Sequence, residues 1–415
     1  MNFNFISIGS LIDSKEASLQ TGPFGTQLKA SEYVEFGTPV INVRNIGFGD
    51  IRADNLEYIT DFKAEQLKNH ILFKGDIVFG RKGAVERHSY IQDEQVGWVQ
   101  GSDCLRLRLN TQEVDSRFLS YYFKTQPHQD WMHALCAFGA TMASLNQDIV
   151  RRILFPCPSI PVQRKIVAIL STYDDLIENN KKRIQILENM AEELYKEWFV
   201  RFRFPNWENT EFEKGVPKDW TYVNLLELAD ITYGYAFDSS KFNTEGIGKK
   251  IIRIRNIPIS RSSDYTDEVP HDKYLIQTGD FLVGMDGDFH MNRWFDEESY
   301  LVQRSCRIKS KLNIHSAYIR QAIKAPIHFF QSTILGATVG HLGAKHLNSI
   351  EILIPNSEHE SLFLELNRLD ELILNLELQN RKLEVMRDSL LPRLISGKLS
   401  VENLDIHFPP SMQEQ

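Results

Sequence analysis

Two stretches of the chain carry the same long-range alternation of apolar and polar positions. Between 161 and 200, Ile166, Leu170, Tyr173, Ile177, Asn180, Ile184, Leu187, Ala191, Leu194 and Trp198 recur at alternating steps of four and three. Between 357 and 398 the series is Leu362, Leu366, Leu369, Ile373, Leu376, Asn380, Leu383, Arg387, Leu390 and Leu394, each 196 residues beyond its counterpart. Such a sustained heptad seam predicts a long helix of coiled-coil type. A single apolar stripe would describe an ordinary amphipathic core helix. Two stripes in register, each after a similar globular stretch, predict that the helices pair with each other.

The stretches before the helices alternate on a shorter period. PVINVRNI, GDIVFG and CLRLRL in the first, and IIRIRNI, GDFLVG and SCRIKSKL in the second, read as short strands punctuated by Gly and Pro. They are also copies. INVRNI (41–46) returns as IRIRNI (252–257), GDIVFGRKG (75–83) as GDFLVGMDG (279–287), FGATMASLNQDI (138–149) as LGATVGHLGAKHL (335–347), and ILFP (153–156) as ILIP (352–355). Order is kept while the offset drifts, which is what a tandem duplication of a unit of roughly 200 residues leaves behind. The expected fold is α+β: β-rich domains at 1–156 and 205–356, long helices at 157–204 and 357–400, and a tail at 401–415.

The connection between the helices sets their direction. A domain of ~150 residues has a radius of gyration of ~15 Å, whereas a helix of ~35 residues is ~50 Å long. Joining neighbouring helix ends is easier than spanning that length, so the helices are expected to be antiparallel. A domain would then sit at each end of a rod, related by a pseudo-two-fold axis. Centring the two seams makes partner numbers sum to 560 and sets Asn180 opposite Asn380. A polar pair in an apolar seam costs stability and fixes register. Two asparagines facing solvent are the alternative.

Composition narrows the class. The 415 residues are 42% hydrophobic and 25% charged, ordinary for a globular protein. Residues 1–21 lack a signal-peptide core and no run of ~18 apolar residues occurs, so a cytoplasmic location is expected. Cys104, Cys136, Cys157 and Cys306 are scattered, against a zinc site or a disulfide framework. The net charge of −8 is not that of a generic polyanion binder, so a DNA-binding surface would have to be local.

Candidate chemistry is mostly excluded. Gly75 and Gly80 have the spacing of a phosphate loop, but Arg81-Lys82 stands where Lys-Ser or Lys-Thr is required. The second copy has Met285-Asp286 there, and an aspartate would repel a phosphate. The shared part is a strand entering a glycine-bounded turn with variable residues at its tip. No methyltransferase tetrapeptide, H-E-x-x-H or G-x-S-x-G occurs. Neither a catalytic nor a metal site is expected.

Similar scaffolds with different tips suit the reading of two separated pieces of one extended ligand. DNA offers half-sites ~34–36 Å apart along one face. The chain resembles a specificity subunit of a type I restriction-modification system, on GTPVINVRNI, GDIVFGRKG, GATMASLNQDI, IPVQRKIVAIL, ENMAEELYKEWFVRF, GVPKDW and LLPRLISGKL in that order. It departs in the acidic second tip GMDGDFHMNRW and in SEHESLFLEL, which lacks the P-x-x-x-Q helix start. The resemblance implies a non-catalytic reader of a bipartite, asymmetric target in double-stranded DNA. It also implies two modification subunits and further restriction subunits as partners, which would bring S-adenosylmethionine, ATP and Mg. A stand-alone DNA- or protein-binding scaffold is the alternative.

Position within the copies selects the candidate DNA contacts. In the first domain they are Gln27, Lys29, Arg44, Asn45, Arg81, Lys82, Thr141 and Ser144. In the second they are Arg253, Arg255, Asn256, Asp286, His290, Arg293, Thr338 and His341. Arg44 and Arg255 have a structural rival role as buried partners of Asp76 and Asp280. Thr141 and Thr338 have one as caps of the turn before a helix. Arg81 and Lys82 are expected on an exposed turn.

Overall fold

The computed structural model describes residues 3–136, 144–334, 340–356, 359–409 and 412. Contacts divide the chain into two compact units, Met1–Asp175 with Glu384–Gln415, and Leu176–Leu383. Each unit takes one globular domain and a segment of both long helices, which run over Ile160–Tyr195 and Ser361–Ile395.

In the first unit the central sheet orders its strands Ala17–Thr21, Cys104–Leu109, Ile77–Gly80, His88–Tyr90 and Phe48–Gly49. Gly80 lies opposite Cys104, and Ile77 opposite Tyr90. The strand Ile77–Gly80 is buried along its whole length, which explains its unbroken apolar run. A smaller sheet joins Thr38–Ile41 in parallel to Val99–Gln100. Asn4–Ser7 pairs with Leu154–Cys157, so the domain closes where its chain enters and leaves.

The second unit repeats this plan. Its central sheet runs Ala229–Tyr233, Ser305–Ser310, Phe281–Gly284, Met291–Arg293. Gly284 faces Ser305 and Phe281 faces Arg293, the register of the first copy. Lys249–Ile252 is again parallel to its neighbour, Ser299–Leu301, and Thr221–Asn224 pairs with Glu351–Ile354. Gly75 and Gly279 open the two equivalent strands at φ +88° and +94°, the left-handed region that glycine enters without a Cβ penalty.

The long helices meet antiparallel within each unit. In the second, the Asn180 side-chain amide donates to Asn380 Oδ1 at 2.9 Å with both residues buried, while Phe199 stacks on Phe363 at 5.9 Å. Ile184, Leu187, Ile373 and Leu376 share one apolar cluster. In the first, Ile166, Leu170, Leu390 and Leu394 share another, and Arg387 donates to Asp174 at 2.7 Å. The seam and its pairing at a sum of 560 are therefore those expected from the heptads.

Each helix is tied to its own domain by a polar anchor, buried in the first and half-buried in the second. Gln163, fully buried, accepts from the Asp115 amide and donates to the Glu113 and Pro158 carbonyls. The second helix lacks that glutamine, and Asn367 takes over: it accepts from the Ala317 amide and donates to the Ile314 carbonyl. Asp174 and Asp370 are 196 apart and serve alike. Asp174 accepts from Tyr121 at 2.7 Å and lies 3.9 Å from Lys124. Burial pulls its carboxyl up, but Lys124 and Arg387 outweigh it and hold Asp174 below the ordinary aspartate value. Asp370 pairs with Arg293 and Arg320.

Cys104, Cys136 and Cys306 are buried, Cys157 is half-buried, and all four are free thiols. Among the described residues no helix is long and apolar enough to cross a membrane.

Candidate nucleic-acid interface

In each copy three loops converge where the buried central strand ends. After Gly80, the Arg81 amide donates to the Asp103 carbonyl at 2.9 Å, and the Leu145 amide donates to the Arg81 carbonyl at 2.9 Å. Lys82 bridges to Ser144 through the backbone. After Gly284 the Met285 amide donates to the Arg304 carbonyl at 2.8 Å, the Leu342 amide to the Met285 carbonyl at 2.7 Å, and Asp286 bridges to His341. The backbone frame of the tip is thus the same in both copies.

Its charges are reversed. Lys82 Nζ lies 3.2 Å from Asp103 Oδ1. At the matching positions of the second tip, the Asp286 carboxylate accepts from Arg304 at 2.9 Å. His341 Nδ1 lies 2.5 Å from the other Asp286 oxygen. Asp286 is mostly covered while Arg304 is 68% exposed. Arg304 also sits at φ +68°, which is strained for a side chain with a Cβ.

The selected residues divide into an open and a committed group. Gln27 and Lys29 are exposed on the loop after Gly22, where Gln27 Oε1 accepts from the Phe24 amide. Lys82, Ser144, His290 and His341 are exposed, and Arg81 is partly so, with its Nε buried. Arg44 and Arg255 are half or more exposed and pair with Glu57 at 2.8 Å and Asp264 at 2.7 Å. Arg253 lies 3.9 Å from Asp264 and over the Phe242 ring. The Arg44–Glu57 pair is open on both sides and such pairs are worth only about 0–1 kcal/mol, so Arg44 can exchange its carboxylate for a phosphate at little cost, whereas Arg255 holds a buried Asp264 through both oxygens.

Four expectations are corrected. Asn45 is fully buried; it accepts from the Asn42 amide and donates to the Arg52 and Asp54 carbonyls, so it holds its own turn. Asn256 does the same by accepting from the Arg253 amide. Arg293 is buried and bound to Asp370; burial pushes it down to about 10 against the opposing pull of that carboxylate, and it stays charged at neutral pH. Asp286 has both oxygens engaged and is a support rather than a free reader. The rival partners expected for Arg44 and Arg255 are also wrong: Asp76 is held by Arg108 at 2.6 Å and Asp280 by Arg307 at 3.2 Å. Thr141 and Thr338 lie outside the described residues.

Arg304 is the residue missed by reading the repeat through its glycine motif. Matched strand by strand, SDCLRL (102–107) lies over QRSCRI (303–308), and Asp103 then coincides with Arg304.

A duplicated α+β scaffold whose tips hold exposed cations over a constant frame defines a tandem recognition module. The family model for the type I restriction modification DNA specificity domain matches the chain twice, over residues 12–189 and 217–387. The chain belongs to that family, and DNA target recognition follows from the membership. It is 28% identical over 322 residues to the type I restriction enzyme MjaIX specificity subunit of Methanocaldococcus jannaschii, covering 70% of this chain and 71% of that one. To the putative MjaX specificity subunit of the same organism it is 23% identical over 388 residues, covering 89% and 88%. The crystal structure of the S subunit of a type I restriction-modification system from M. genitalium superposes with a TM-score of 0.56 at 16% identity, over 95% of this chain and 96% of that one. That likeness concerns the fold.

Proposed function

We propose that the chain reads a bipartite, asymmetric site in double-stranded DNA, one half-site per recognition domain, and carries no catalytic group of its own. The observation that carries this reading is the tip: one frame in two copies, with Lys82 and Asp103 exchanged for Asp286 and Arg304. Tips of opposite charge order cannot present the same donors and acceptors to base edges, so the two halves of the target differ. The exposed cations Lys29, Arg44, Lys82 and Arg255 and the half-exposed Arg81 and Arg253, with Gln27, Ser144, His290 and His341, supply phosphate and base contacts. A chain of net charge −8 then relies on these local groups for its attraction to DNA.

In this reading two modification subunits dock on the chain and methylate adenine using S-adenosylmethionine, and restriction subunits add ATP- and Mg-dependent cleavage. The test is to co-express the chain with a modification subunit of the family and map methylated adenines across the host genome. The expected result is one motif of two unlike halves separated by a fixed gap. A single continuous or palindromic motif would refute the bipartite asymmetric reading, and methylation by the chain alone would refute the absence of a catalytic group.

A further inference from the structure

The first tip presents an exposed lysine beside a carboxylate, and the second presents an exposed arginine beside one, from the opposite loop. We infer that Arg304, on the loop between Leu301 and Ser305, is the DNA-contacting cation at the tip of the second recognition domain, with Asp286 as its positioning residue. This rests on the DNA-reading function proposed above and adds a further loop of the second copy to the contacting surface.

Three independent features point to it. Arg304 is 68% exposed, more than Lys82 at 59%, so its guanidinium is open to a ligand. Its backbone is held at φ +68°, although an arginine gains nothing from that conformation. Strain of this kind persists where surrounding contacts over-determine it, and here they do: the Met285 amide binds the Arg304 carbonyl, while on either side Gln303 donates to the Tyr235 carbonyl and the Ser305 hydroxyl to that of Val302. Finally, Asp286 is fixed from the far side by His341 Nδ1, so the carboxylate steers the guanidinium instead of following it. A planar, five-donor guanidinium held by one edge leaves its other edge free for a phosphate or for guanine O6 and N7.

The experiment uses the full chain and a long linear duplex of mixed sequence, with apparent affinity measured from low to moderate salt. Arg304→Ala is expected to weaken binding and make the log–log salt slope shallower by about 0.9, the value of one lost phosphate contact. Arg304→Gly removes the same charge while relieving the left-handed backbone, so misfolding cannot imitate its effect, and it should match Arg304→Ala. Arg304→Lys should keep the slope. Lys218→Ala removes equal charge from a remote exposed pair with Glu211 and should leave the slope unchanged. Wild-type slopes in both the alanine and glycine variants would overturn the assignment while leaving the DNA-reading function intact. Absence of salt-dependent binding by the wild-type chain would instead overturn that function, and this inference with it.

Discussion

At the scale of single residues, burial decides what a polar side chain does. Asn45 and Asn256 have the composition of base readers, yet each is spent on the backbone of its own turn. The same rule makes two histidines sensitive to acid. Burial holds His128 down to about 3, and His88, fully buried against Ser120, well below its ordinary 6.5. As pH falls through 6.5 the unfolded chain takes up these protons and the folded chain does not. Stability is therefore complete above 6.5 and declines below it, by about 1.4 kcal/mol per pH unit for each histidine. Urea midpoints between pH 7 and 4.5 should show this fall, and His128→Gln should make the slope shallower by about 1.4 kcal/mol per pH unit. An unchanged slope in that variant would place the proton uptake elsewhere.

At the scale of elements, the helix pair was the most legible part of the sequence. Its seam is one-dimensional: a period of 3.5 repeated without interruption determines which faces meet, and Asn180 with Asn380 determines where. Asn180→Leu should cost about 1–3 kcal/mol, because Asn380 keeps a buried amide without its partner. Replacing both asparagines by leucine should recover that loss and exceed the wild-type midpoint in urea unfolding. A double variant no more stable than the single one would mean that the pair contributes more than register. The helix starts were less legible. Nothing in SEHESLFLEL announces that Asn367 would do the work of Gln163, because the substitute enters from about two turns further along the helix than the position matching Gln163.

At the scale of the whole molecule, duplication separates scaffold from specificity. The registers of the two central sheets coincide from Gly80 and Cys104 to Gly284 and Ser305, while the tips differ in charge order. Exchange of the tip charges in the first domain, Lys82→Asp with Asp103→Arg, should therefore alter one half of the methylated motif. The other half and the gap should be unchanged when methylation is mapped. A change in both halves would show that the domains do not read independently.

By itself the sequence determined the tandem repeat, the two long helices with their antiparallel seam, and the family, since periodicity and repetition are properties of the chain read in order. Tertiary structure alone decided which of the selected residues are open. It buried Arg293 against Asp370, gave Asp76 to Arg108 instead of Arg44, and set Arg304 beside Asp286. The physical reason is that exposure and ion pairing depend on which distant loops converge, and residues 286, 304 and 341 become neighbours only when the three loops close over the end of one strand.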